Sequence, residues 1–332
     1  MSFYQSLILP FAFFGYAAFV NAAVFLGGGK GSFEPGIPTV ATFSDHYIAR
    51  QPHQDLAHGL WGAARYLVFG QGKEGVIAGD AGWLFTAEEA RAALPKAELD
   101  ALSGRAAALA DQIKIVGGHL VVVFIPTKMR VVLGQVTAAD QSGKSLQVAM
   151  AERGVETVNA LDVLGDPQGD FFATDTHWTP QATRAVAALI SDRVPWLNGT
   201  SEFHEKHKAT ENFSGDLVSF VTTEGFADWI GLRAEKVVPF EAIASQTGTL
   251  DLFAAPQGHV LVGTSYSADP RWSFEAALKV ALSQDVINHA LIGQGPFAAL
   301  EQYLENPTPG ATVIWEFPVR YLTDPKLAAG GL

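Results

Sequence analysis

Ser265, His177 and Asp175 are the residues whose types and surroundings allow nucleophilic chemistry. Ser265 sits in Gly263-Thr264-Ser265-Tyr266-Ser267, directly after the apolar run 259–263. A serine at a sharp strand-to-helix turn projects its hydroxyl while neighbouring backbone N–H groups face the same small volume. That suits a nucleophile and half of an oxyanion hole; the same loop also serves simply to cap a helix. Asp175 and His177 stand two apart in Thr174-Asp175-Thr176-His177-Trp178-Thr179-Pro180. In extended chain, residues i and i+2 share a face. A carboxylate bonded to the imidazole Nδ1–H fixes the tautomer and frees Nε2 to take a proton from a hydroxyl. The helix start that follows disfavours imidazolium and Asp175 favours it. The plainer readings are an Asp/Thr capping segment with an incidental histidine, or a metal pair, for which Asp-x-His lacks a third partner nearby. Asn288 and Gly293-Gln294-Gly295-Pro296 form a third group. Glycines there permit close backbone approach and an asparagine amide can donate to an oxyanion; otherwise these are turn residues.

Such groups must be held by a frame, and the sequence supplies one. Helical patterns cover 97–114, 147–153, 180–194, 272–283 and 297–304, with Thr179 as N-cap and Pro180 at the first helical position of the third. Apolar runs at 119–125, 259–263, 286–292 and 311–317 read as strands covered on both faces, as in parallel sheets. Strand and helix alternating over the last seventy-odd residues predicts an α/β/α sandwich with chemistry in loops at the carboxyl ends of strands.

Composition narrows the function. Hydrophobic residues make up 48% of the 332 and charged ones 17%, which excludes extensive disorder. The net charge of −12, with no Lys/Arg cluster, argues against nucleic-acid binding. The chain has no cysteine, so thiolate metal sites, disulfides and a cysteine nucleophile are excluded; this fits a bacterial periplasm. His204-Glu205-Lys206-His207 offers histidines at i, i+3, but in a charged stretch that reads as solvated surface. No metal site and no cofactor is expected.

No charged side chain precedes Lys30, and residues 7–26 are broken only by Pro10, Gly15 and Asn21. Twenty residues at about 1.5 Å rise match a bilayer's hydrocarbon core of roughly 30 Å. The expected organisation is a membrane anchor or uncleaved signal at 1–29, a Gly/Pro-rich linker at 30–45 and one catalytic domain at 46–332. A cleavable signal peptide is the rival; the missing positive n-region weighs against it.

Together these motifs resemble the SGNH-hydrolase-like polysaccharide O-acetyltransferases of the alginate acetylation (AlgJ/AlgX) type. The resemblance rests on Gly79-Asp80-Ala81-Gly82-Trp83-Leu84-Phe85, Pro126-Thr127-Lys128, Asp175 to Gln181, Gly263 to Ser267 and Trp315 to Tyr321, in that order. As in that group, Asp and His precede the serine and are spaced D-x-H, unlike ordinary GDS-type esterases. The resemblance implies a three-layer α/β/α sandwich with a mainly parallel sheet, preceded by an N-terminal transmembrane helix. It implies Ser265 as nucleophile, His177 as general base and Asp175 as its orienter.

The expected reaction passes an acetyl group through acetyl-Ser265 to a sugar hydroxyl. The oxyanion would be held by the Ser265 N–H with Asn288 or with an N–H between Gly293 and Gly295. Arg320, Lys128, Trp178 and Tyr266 are candidate substrate contacts; Arg320 and Lys128 could equally be structural ion pairs. The implied partners are a polysaccharide acceptor, a membrane-bound O-acyltransferase supplying acetyl groups, and a synthase and export complex, with the protein periplasmic at the bacterial inner membrane. The net charge leans the acceptor toward a neutral polymer such as cellulose rather than a polyuronate. A carbohydrate esterase with water as acceptor, and a non-catalytic polysaccharide-binding scaffold, are the competing classes.

Overall fold

Six consecutive residues of one strand, Leu120 to Ile125, alternate between two hydrophobic cores, and that alternation organises the molecule. The structure, a computed structural model, describes residues 13–22, 54–245 and 258–328. Residues 13–22 are helical; the rest of the 7–26 run and the 30–45 segment lie outside the described residues. The helices from residue 54 onward used below are α1 (Gln54–Phe69), α2 (Lys96–Ile115), α3 (Lys128–Leu133), α4 (Ala138–Glu152), α5 (Pro180–Arg193), α6 (Glu224–Ala227), α7 (Ser265–Ala268), α8 (Phe274–Leu282) and α9 (Gly295–Leu304). The strands are β1 (Val76–Ala78), β2 (Leu84–Thr86), β3 (His119–Ile125), β4 (Glu156–Asn159), β5 (Phe203–His207), β6 (Glu211–Phe213), β7 (Glu235–Val237), β8 (Phe240–Ala244), β9 (His259–Val262), β10 (Val286–Asn288) and β11 (Thr312–Pro318).

Five strands form one sheet in the order β10-β9-β11-β3-β4, every neighbouring pair parallel. Val121, Val123 and Ile125 point to one face with Leu261 and Ile314, against α5 and α8. Leu120, Val122 and Phe124 point to the other with Val260, Val262, Trp315 and Phe317, against α2, α4 and α9. A strand apolar at every position is what two covered faces require, so the expected three-layer parallel sandwich is present.

Several boundaries shift. The helix expected at 147–153 runs from Ala138. Its first half, residues 138–144, holds no large apolar residue and so little apolar periodicity, but Thr137 and Asp140 close a capping box that starts it. The strand expected at 286–292 ends at Asn288, although the N–H groups of His289 and Leu291 still donate to Leu261 and Gly263. Residues 203–207 form β5, paired with β8. Alternation along a strand puts His204 and His207 on opposite faces, so they cannot share an ion.

Among the described residues no helix is long and apolar enough to cross a membrane. A third core joins α1 to β1, β2 and the segment around Val218, Val221 and Leu232.

Candidate active site

β9 delivers the serine loop to the carboxyl edge of the sheet. Thr264 is the N-cap of α7 and Ser265 its first residue. Glycine is required at 263 because a Cβ there would run into the carboxylate of Glu316. That carboxylate, fully buried at the end of β11, ties the loop down. It accepts from the Thr264 N–H at 2.7 Å, from the Ser267 hydroxyl at 3.0 Å and from the Thr264 hydroxyl at 3.2 Å. The Ser265 N–H has no acceptor among the described residues.

Burial pushes the Glu316 carboxyl up to about 7, against those hydrogen bonds and the nearby Arg320 charge. An unfolded glutamate loses its proton at lower pH, so between the two values the native state holds the extra proton. Stability from this group therefore falls as pH rises through that window. Glu316→Gln is expected to remove the slope, on the order of 3 kcal/mol. Urea midpoints of both proteins at about pH 5 and about pH 8 check it, since the wild type alone should lose this contribution at the higher pH.

The Asp-x-His segment is a narrow loop closed by pairing of Phe171 with Trp178 and a hydrogen bond from the Phe172 N–H to the His177 carbonyl. His177 Nδ1 lies 2.6 Å from Asp175 Oδ1, and His177 Nε2 lies 2.8 Å from Ser265 Oγ. Asp175 Oδ1 also accepts the His177 backbone N–H at 2.9 Å, and Oδ2 accepts the Asp216 N–H at 3.0 Å. With Nδ1–H donating to Asp175, Nε2 is left to accept from the serine hydroxyl. Burial pushes the Asp175 carboxyl up, but the His177 hydrogen bond and charge, with the two N–H donors, outweigh it and hold it below the usual carboxylate range. Trp272 stacks on the imidazole at 5.1 Å with planes 21° apart. The three residues expected to act together are thus in hydrogen-bond sequence.

All four residues expected to hold substrate are buried, and three of them, Lys128, Tyr266 and Trp178, spend their polar groups on the frame. Lys128, 1% exposed, donates to three carbonyls, those of Leu84 at 2.6 Å and of Ala173 and Asp175 at 2.9 Å. All three ammonium donors are used on backbone that carries the Asp-x-His loop, so Lys128 positions that loop and has none left for a sugar. Tyr266 is buried and its hydroxyl donates to the Thr176 carbonyl at 2.6 Å, joining the serine loop to the histidine loop. Trp178 is fully buried, its indole N–H on the Tyr266 carbonyl at 2.9 Å and its ring against Phe274 at 4.7 Å. It packs in the core and cannot stack on a sugar. Arg320 is also buried, 3.7 Å from Glu88 and with its guanidinium over the Tyr266 ring; its Nε and Nη1 have no hydrogen-bond partner.

The oxyanion candidates divide as well. Asn288 donates one amide N–H to the Ser267 carbonyl at 2.7 Å and accepts the Ala290 N–H at its oxygen, so it braces α7 while its second amide N–H has no acceptor among the described residues. Gly293 and Gly295 take positive φ, 75° and 70°, at the turn into α9.

Lys128→Met keeps the volume but strands three carbonyls and leaves the buried Glu89, which accepts from the Lys128 and Met129 N–H groups, with Arg320 but without the Lys128 charge. A loss of about 3–5 kcal/mol is expected, measured by urea denaturation.

Sequence reasoning missed the supporting residues. Asp216 accepts from the Thr176 N–H at 2.8 Å and hydroxyl at 2.6 Å while its own N–H braces Asp175; forty residues separate it from its partners and nothing in its local sequence marks it. Trp272 stacks on the histidine, and Arg271, paired to Asp269, lies over the Trp272 ring. Glu316 was visible only as part of the Trp315–Tyr321 motif. Asp175, His177 and Asp216 offer ligand atoms within 4.8 Å of one another. The 2.6 Å between Asp175 Oδ1 and His177 Nδ1 is a hydrogen-bond contact, shorter than the gap two ligands leave around an ion they each approach at about 2.0–2.2 Å.

Comparison with known proteins gives the family. Residues 76–319 match the model of the SGNH hydrolase-like domain of the acetyltransferase AlgX. The probable alginate O-acetylase AlgJ of Pseudomonas aeruginosa is 31% identical, over 96% of this chain and 91% of its own length. AlgJ of Pseudomonas syringae pv. tomato is 33% identical over 83% and 76%. Among solved structures, the O-acetyltransferase domain of Pseudomonas putida AlgJ superposes with a TM-score of 0.64 at 27% identity, covering 77% of this chain and 98% of that one. The chain belongs to the AlgX-type family of SGNH hydrolase-like acetyltransferases.

Proposed function

We propose that this chain moves acetyl groups onto hydroxyls of an exported polysaccharide, with Ser265 as nucleophile, His177 as general base and Asp175 as its orienter. The observation that carries the reading is the 2.8 Å contact of Ser265 Oγ with His177 Nε2, continued at 2.6 Å from Nδ1 to Asp175.

In the first half-reaction Ser265 Oγ attacks the donor's acetyl carbon as its proton passes to His177 Nε2. The tetrahedral intermediate's oxyanion takes the unengaged Ser265 N–H, and the leaving group departs with the proton from His177. In the second half, His177 takes the proton of a sugar hydroxyl, whose oxygen attacks the acetyl-serine. Collapse returns the proton to Ser265 and releases the sugar acetate. Asp175 stays ionised throughout and steadies the transient imidazolium. Arg320 keeps an expected role at the substrate, supported by its two nitrogens without hydrogen-bond partners.

The acceptor is a uronate polymer. The relatives are alginate O-acetylases by name, which outweighs the lean toward cellulose drawn from net charge. The chain acts in the periplasm, held to the inner membrane by the charge-free run 7–26, with a membrane-bound O-acyltransferase and an export complex as partners. Incubation with an activated acetyl ester and either mannuronate or cello-oligosaccharides tests the reading. Acetylated mannuronate as the main product is expected. Release of free acetate alone, whatever the sugar, would make the protein an esterase, and transfer to cello-oligosaccharides alone would restore the neutral acceptor.

A further inference from the structure

Helix α1 is built inside out. It packs on the domain through small residues: a side chain at Gly62 would meet the Val221 carbonyl, and one at Gly59 the Phe226 ring at 2.5 Å. The Gly59 carbonyl accepts from the Thr222 hydroxyl at 2.8 Å, which fixes the helix in that orientation. Apart from Tyr66, which packs on the third core, its large apolar residues face away. Leu56, Leu60, Trp61, Leu67 and Val68 are 51–69% exposed. They recur at i, i+4, i+5, i+11 and i+12, one continuous stripe without a charge. Trp229, 80% exposed, stands on Phe226 at 5.6 Å beside the same helix. A water-facing helix normally shows its polar side outward, and an apolar stripe of this kind marks a surface that is covered.

We propose that the α1 stripe lies in the membrane interface, so that the catalytic domain rests against the bilayer instead of swinging free on its tether. The inference builds on the membrane attachment proposed above. Leu26, the end of the charge-free run, is separated from Gln54 by residues 27–53. Those 27 residues span at most about 90 Å when extended, so a bilayer holding the run is always within the helix's reach. At 16 residues α1 measures about 24 Å, too short to cross a bilayer but suited to lying in its plane. Leucine, valine and tryptophan are the residues that interfacial helices bury, with tryptophan at the headgroup level. The net charge of −12 is carried outside the stripe.

The absence of native cysteine makes the test clean. Leu60→Cys, Leu67→Cys, Phe19→Cys and Ile115→Cys, each in the full chain, are spin-labelled and reconstituted in phosphatidylcholine vesicles. Accessibility to oxygen and to a water-soluble nickel chelate is then read by power saturation. Ile115, 82% exposed at the end of α2, is the aqueous control and Phe19 reports the anchor. Retained labelling of Ser265 by a sulfonyl fluoride shows that each variant is folded. The expected result is several-fold higher oxygen and lower chelate accessibility at 60 and 67 than at 115. Chelate-accessible labels at 60 and 67 with a lipid-buried label at 19 would overturn the inference and leave the anchor standing. Aqueous labels at all positions would remove both. Labels at 60 and 67 shielded from both reagents would mean that protein covers the stripe, which also overturns a lipid contact.

Discussion

Ser265→Ala is expected to leave a folded protein with no acetyl-enzyme and a transfer rate lowered by at least about 10⁴-fold. The size of the effect follows from the arrangement. Ser265 is held by the N-cap Thr264, whose N–H and hydroxyl are in turn fixed by Glu316, and its Oγ meets an imidazole already aligned by Asp175. Removing one oxygen leaves the imidazole without a proton to take and the acetyl group without an acceptor. The loop does not depend on the Ser265 hydroxyl for its structure, because the Thr264 and Ser267 bonds to Glu316 remain. A small change in urea midpoint and a complete loss of transfer are therefore expected together.

Asp175→Asn is expected to lower the rate by about 10²–10⁴-fold while the fold persists. Asp175 accepts at both oxygens, from the His177 ring and backbone on one side and from the Asp216 N–H on the other. An amide must turn its NH₂ toward one of these sides. Facing His177, it donates to Nδ1 and moves the ring proton to Nε2, the atom that must accept from Ser265. Facing Asp216, it opposes a backbone N–H and costs about 1–3 kcal/mol. The carboxylate's lowered pKa gives a second readout. A group depressed in the native state contributes stability above its unfolded pKa and loses it as pH falls through the native value. The wild type should thus lose stability on acidification in part through Asp175, and the asparagine variant should lack that component. Urea midpoints followed into the acid range, beside pH–rate profiles, separate the two effects.

The sheet was legible because its central strands are uninterrupted apolar runs: His119–Ile125 appears in the structure with the boundaries expected. Of the two edge strands, β10 was legible in the run 286–292 but β4 was not. Glu156–Asn159 reads Glu-Thr-Val-Asn, with one buried hydrophobe, Val158, and the short pairs of β5 with β8 and β6 with β7 hide in charged sequence. Their pairing depends on chain returns that local periodicity does not record. The grouping of Ser265, His177 and Asp175 was legible because the serine follows a strand and the Asp-x-His pair precedes a helix start. The surrounding roles were not, since sequence says which side chain is present but not which way it points. Tyr266 follows the serine and Trp178 follows the histidine; in α7 and in the Asp-x-His loop both turn inward to lock the two loops together. Lys128 reads as a cation available to a substrate, yet it stands in the core as a three-way brace. The residues that hold the site still are the ones a sequence most easily mistakes for those that hold its substrate.

On this mechanism Ser265 carries the acetyl group. Intact-mass spectrometry of the wild-type protein, acid-quenched after brief exposure to an activated acetyl ester, tests it most directly, with peptide mapping to locate any adduct. A mass increase of one acetyl group on Ser265 is expected, absent from Ser265→Ala and discharged faster by mannuronate oligosaccharide than by water. An acetyl group on another residue, or transfer to sugar that persists in Ser265→Ala, would contradict it.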